Sequence, residues 1–173
     1  MRIGAVPPPV LRELRTALVV ATEHPVWVGD RELDPAPSFH PRRRQYAAER
    51  LMRELLAPPP PADVKRIGIA DVDLFLDLFT HVFGSAQLGG AVAVASLHRL
   101  DPRFAGEPAD TARTMSRLIR EVLHELGHTL GLVHCRVAGC AMHPSHRPEQ
   151  VDIKTTGYCR LCAERVGTPI LDI

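Results

Sequence analysis

Residues 124–134 read His-Glu-Leu-Gly-His-Thr-Leu-Gly-Leu-Val-His. On a helix, His124 and His128 stand about 40° apart around the axis and about 6 Å apart along it, so both imidazoles reach one metal ion. Glu125 is turned about 100° from His124, which puts its carboxylate beside the metal rather than on it. A third ligand has to arrive from another direction. A continued helix would carry His134 away, so the spacing requires a turn, and Gly131 supplies one because glycine takes positive φ without steric cost. Three histidines and an open position form the donor set of a catalytic zinc, not a closed structural one. Such a zinc brings the pKa of its water toward about 7 and polarises a carbonyl. Glu125 is then the general base that takes the proton from that water and delivers it to the leaving amine. The bland alternative is a histidine cluster on an amphipathic helix; the added glycine and third histidine argue against it.

A second constellation follows at once. The four cysteines are Cys135, Cys140, Cys159 and Cys162, and none occurs in the first 134 residues. Two short cysteine pairs separated by an 18-residue loop have the form of a four-thiolate structural zinc site. Zinc would offset the cost of ordering a loop-rich tail that lacks a large core. Two disulfides, or four unrelated thiols, are the alternatives. Because Cys135 directly follows His134, the two metal sites share backbone, and the structural zinc is expected to fix the segment carrying the third catalytic ligand. Met142 lies a short loop further on; a methionine under a zinc site supplies an adaptable apolar floor.

The elements that must position these groups are legible in outline. Thr111 to Leu132 is the longest helical pattern, with Met115, Leu118, Val122, Leu123 and Leu126 on one apolar face and Asp110 as N-cap. Residues 91–97 predict a buried strand, because the apolar run is short and glycine precedes it. Residues 66–70 and 2–6 predict strands, Val26–Val28 another, and Val10 to Thr22 and Gln45 to Leu56 predict amphipathic helices. Residues 31–41 read as loop, and 75–83 is ambiguous between strand and helix. Beyond Val133 the periodicity disappears, which predicts an irregular lobe.

The chain of 173 residues is the size of one domain, with an N-terminal lobe about 1–131 and a C-terminal lobe about 132–173. Its net charge of +1 gives no reason to expect nucleic acid or an anionic membrane as partner. The run Arg42-Arg43-Arg44 reads as a solvated loop. Prolines 7–9 interrupt any signal-peptide core, and no stretch approaches the roughly 18 apolar residues of a membrane span. The expected location is therefore the cytoplasm, whose reducing conditions disfavour disulfides. Residues 1–110 are needed for the sheet, so no inhibitory pro-segment is expected.

His124 to Met142, with Cys135 and Cys140 inside the run and Cys159-x-x-Cys162 after it, resembles the archaemetzincin family of metzincin zinc peptidases. The motif covers about 39 residues; upstream, the stretch Val82-Phe83-Gly84 is family-like. One departure is visible: 16 residues separate Met142 from Cys159, one fewer than the family spacing. The resemblance implies an α+β fold: a mixed twisted β-sheet with helices in the N-terminal lobe, and a small irregular C-terminal lobe stabilised by zinc. It implies two zinc ions, one on His124, His128 and His134 and one on the four cysteines, with Glu125 as base and Met142 in the methionine turn. It implies a peptide substrate whose backbone binds an antiparallel edge strand, here around Phe83 to Leu88. Tyr158 is weighed as an oxyanion donor or as packing beside Cys159, Asp71 and Asp73 as cleft residues or solvated carboxylates, and His143 and His146 as loop residues. Two other functions stay open: a zinc amide or ester hydrolase on a non-peptide substrate, and a non-proteolytic two-zinc binding module.

Overall fold

The computed structural model describes residues 1–167. In chain order the elements are β1 (Arg2–Ile3), α1 (Pro8–Thr22), β2 (Glu32–Leu33), β3 (Phe39–His40), β4 (Gln45–Ala47), α2 (Ala48–Leu55), β5 (Arg66–Ala70), β6 (Leu74–Phe75), β7 (Gly84–Ala86), β8 (Val92–Ser96), α3 (Thr111–Thr129), α4 (Pro148–Ile153) and α5 (Arg160–Val166). The main sheet runs β2-β1-β5-β8-β7, all parallel except β7, which pairs antiparallel with β8 as an edge strand. A smaller sheet, β3-β4-β6, is also mixed.

Strand β8 is buried along its whole length, because both faces of the sheet are covered. Val92 and Val94 pack with Leu51, Met52 and Leu55 of α2. Ala95, on the alternate face, packs with the apolar stripes of α1 and α3. That second core does not stop at α3. It continues through Cys140, Ala141, Met142, Val151, Tyr158 and Cys162, so the C-terminal segment is built onto the same core as the sheet.

Several expectations change. Val26–Val28 is not a strand: Trp27 is 74% exposed, and β1 takes Glu32–Leu33 as its neighbour, because Leu33 offers a side chain the core can bury. Residues 31–41 hold two short strands, and Gln45–Ala47 pairs as β4 before the helix that was expected to include it. The 75–83 segment is mostly irregular between a short β6 and an isolated bridge from Leu74 to Val82. Helix α3 stops at Thr129, three residues short of Leu132. The tail contains α4 and α5, too short for their periodicity to stand out. The predicted C-terminal lobe runs to 173, of which 168–173 lie outside the described residues. Among the described residues, no helix is long and apolar enough to cross a membrane.

Candidate active site

Helix α3 is capped by Asp110, whose carboxylate accepts the Arg113 N–H at 2.9 Å. It ends in a Schellman turn: Gly131, at φ +92°, donates its N–H to His128 O, and Leu132 donates to Gly127 O at 2.9 Å. This reversal returns His134 to the other two histidines. The ligating atoms of His124, His128 and His134 all lie within 4.8 Å of one another. His124 Nδ1 donates to Ala141 O and His128 Nδ1 to Leu132 O, each at 2.8 Å. Both Nε2 atoms are thereby left as acceptors, and they face each other at 3.1 Å. Two lone pairs so placed repel unless a cation stands between them. Tetrahedral zinc, with nitrogens about 2.0–2.1 Å away, sets its ligands about 3.3 Å apart, so the donor set fits that ion. Burial lowers the pKa of all three imidazoles, to about 2 for His124, where the Lys154 charge adds to it. They stay in the neutral, metal-binding form.

Glu125 is buried beside them, and its Oε2 has no hydrogen-bond partner among the described residues. Burial, then the neighbouring Glu121 carboxylate, raises its pKa well above the usual range. The space it occupies exists because position 84 is glycine. A Cβ there would come 2.6 Å from Glu125 Oε1 and 2.8 Å from Val94 O. Gly84 opens edge strand β7, which runs along a cleft of about 480 Å³ whose walls include Phe79, Ser85, Leu88, Val133 and His146, with His124, Glu125, His128 and His134 on its floor. Gly89, in the turn after β7, donates its N–H to His128 O at 2.8 Å, tying that turn to the end of α3. Arg43 braces the opposite wall, stacking on Phe75 at 4.2 Å and donating to Phe79 O at 2.6 Å. It does more than the solvated loop residue expected from the arginine run.

The four thiols are free, and their sulfurs also lie within 4.8 Å of one another. Cys135 Sγ and Cys159 Sγ are 3.7 Å apart, too far for a disulfide. The distance fits a tetrahedral zinc with sulfurs about 2.3 Å away, which stand about 3.8 Å apart. Cys159 N–H points to Cys140 Sγ at 3.3 Å and Val137 N–H to Cys135 Sγ at 3.5 Å, as suits thiolates. The two clusters are joined through backbone: Cys135 N–H donates to Met142 O at 2.9 Å, and the next residue back, Ala141, holds His124. Met142 is fully buried, with its Sδ against Gly127 of α3.

Not every residue weighed reaches the cleft. Tyr158 is buried and its hydroxyl donates to Leu123 O at 2.7 Å, so it is core and offers no oxyanion contact. Asp73 is paired with Arg99 at 2.5 and 2.7 Å and with Gln45, and neither it nor Asp71 lines the cleft. His146 is on the cleft wall, while His143 Nδ1 is bound to Cys135 O at 3.1 Å. Sequence reading missed Glu121, which lines the cleft with Glu125, and Lys154; both are buried. Glu121 precedes Glu125 by four, a visible helical spacing; a lone lysine in an irregular tail carries no such signal.

The profile of peptidase family M54 matches residues 62–168. An archaemetzincin of Pyrococcus furiosus is 42% identical over 100 residues, 58% of this chain and 52% of that one, so the match spans about half of that relative's length. An archaemetzincin of Natronomonas pharaonis is 33% identical over 167 residues, 95% of each chain. The crystal structure of an archaemetzincin from Archaeoglobus fulgidus, complexed with malonate, superimposes with a TM-score of 0.81 at 32% identity, covering 95% of this chain and 97% of that one. With its family profile, its full-length relative and its fold in agreement, the chain belongs to peptidase family M54, among the archaemetzincins.

Proposed function

We propose that this chain is a zinc-dependent peptidase, with His124, His128 and His134 as ligands of a catalytic zinc, Glu125 as general base, and Cys135, Cys140, Cys159 and Cys162 as ligands of a second, structural zinc. The observation that carries the reading is the pair of Nε2 lone pairs facing each other at 3.1 Å beside a buried carboxylate on the floor of a cleft. When bound, zinc supplies Lewis acidity, lowering the pKa of a water and polarising the scissile carbonyl.

The chain's own residues do the rest. Edge strand β7 offers its free backbone edge to an extended peptide, which adds as a further strand. Glu125 takes a proton from the attacking water on its carboxylate and returns it to the departing amine. Burial, and then the neighbouring Glu121, raises its pKa above the usual carboxylate range, which makes it a stronger base than an exposed glutamate. Gly131 turns His134 into place and Met142 underlies the ligand helix. The unit is one metzincin-type domain: an N-terminal lobe to about residue 131 and a C-terminal lobe beyond it, sharing one core. Short peptides and chain ends are the expected substrates.

The decisive experiment is Glu125→Gln, read with a panel of short-peptide reporters, with and without chelator, beside zinc analysis. The expected result is a loss of turnover by orders of magnitude with zinc retained. Unchanged behaviour would identify a binding module instead, and turnover confined to non-peptide amides or esters would identify a different hydrolase.

A further inference from the structure

Glu121 Oε2, Glu125 Oε2 and Lys154 Nζ are buried atoms with no hydrogen-bond partner among the described residues. The Lys154 side chain is fully excluded from solvent, and its Nζ lies 4.0 Å from Glu121 Oε2. A buried ammonium is costly unless an anionic group faces it; Glu121 does so at 4.0 Å, and Glu125 and the Cys140 thiol also lie close enough to act on its charge. The backbone around Lys154 is clamped on both sides. Two residues before it, Asp152 accepts two bonds from Arg117, at 2.8 and 2.6 Å; one residue after it, Thr155 donates its N–H to Gly139 O at 2.8 Å. Arg117, Glu121 and Glu125 follow at four-residue intervals along one face of α3. A charged stripe thus runs down the helix to the proposed base, and the last turn of α4 and the residue after it supply the opposing Asp152 and Lys154.

We propose that Lys154 is a positioning residue for Glu125: its ammonium, seated against Glu121, fixes the carboxylate against which the Glu125 side chain packs and so keeps Glu125 turned to the cleft floor. Without that partner Glu121 loses the contact that holds it, and Glu125 leaves its place under Gly84. The inference rests on the reading of Glu125 as general base. Burial lowers the Lys154 pKa, while Glu121, Glu125 and Cys140 oppose the shift.

The test compares Lys154→Met and Lys154→Arg with the unsubstituted protein. Zinc per chain, kcat and KM are measured on a peptide reporter. The Glu125 side-chain carboxyl resonance, assigned by its loss in Glu125→Gln, is followed by carbon-13 NMR in zinc-free protein. Lys154→Met should lower kcat about 10–100-fold, leave KM within about twofold and zinc content unchanged, and move the Glu125 resonance. Lys154→Arg should recover part of the loss. A merely structural lysine predicts a lower Tm, an unmoved resonance and an unchanged kcat per folded, zinc-loaded chain, and that result overturns the proposal. If Lys154→Met does not fold, Lys154→Gln and Glu121→Gln carry the NMR readout: a moved Glu125 resonance supports the proposal and an unmoved one overturns it. The resonance needs no turnover, so a protein that cleaves no reporter defeats the peptidase reading while the Lys154–Glu125 coupling is still measured.

Discussion

Gly84 and Glu125 share one small volume: a Cβ on Gly84 would stand 2.6 Å from Glu125 Oε1 and 2.7 Å from its Cγ. The first residue of the edge strand therefore sets how close β7 comes to the proposed base. Gly84→Ala should force either the strand or the carboxylate to move. A displacement near 1 Å costs on the order of 100-fold in rate. The expected outcome is a kcat reduced by about that factor with full zinc content, measured by steady-state kinetics and metal analysis. Wild-type kcat in Gly84→Ala would show that Glu125 needs no such fit.

The Cys135–Met142 backbone bond links the cysteine cluster to the loop whose Ala141 carbonyl holds His124. Cys135→Ala should therefore deplete both metals, not one. Metal analysis after dialysis against a weak chelator should find less than the single zinc expected if the sites were independent. Full retention of the histidine-bound zinc would separate them.

Acid sensitivity of the zinc-free protein follows from the buried imidazoles. The His124 pKa is lowered from 6.5 to about 2, chiefly by burial. Below pH 6.5 the unfolded chain therefore binds a proton that the folded chain refuses. Its contribution is present in full above the unfolded pKa and is lost as pH falls from there toward the folded pKa, at about 1.4 kcal/mol per pH unit for one proton. His128 and His134 shift in the same direction. Denaturant titrations of zinc-free protein between pH 7.5 and 5 should show stability falling with acid, and His124→Gln should flatten the slope; equal slopes would refute the assignment.

The two ends of the Arg117–Asp152 pair are unequally buried, 3% and 37% exposed. Asp152→Asn leaves a buried guanidinium without its counter-charge and should cost about 3 kcal/mol, a Tm drop on the order of 10 °C for a chain of this size. Arg117→Met removes the buried charge itself and leaves Asp152 to water, so its cost should be less than half as large. Calorimetry on both variants checks the order; a reversed order would mean that α4 is not anchored through Arg117.

Sequence alone picked out the proposed ligands, the proposed base and the turn, because they depend on local geometry: a four-residue helical interval, a glycine able to take positive φ, two short cysteine pairs. It also determined α1, β5, β8 and α3, whose apolar patterns are long or strong enough to specify themselves. Strands of two or three residues, such as β2, β4 and β6, were not legible, since a partner strand stabilises them more than their own residues do. The pairing of His124 with Ala141 O, the room that Gly84 leaves for Glu125, and the meeting of Glu121 with Lys154 were decided only by tertiary structure. Each joins groups distant in the chain, and no local pattern records which buried charge will face another across a packed core.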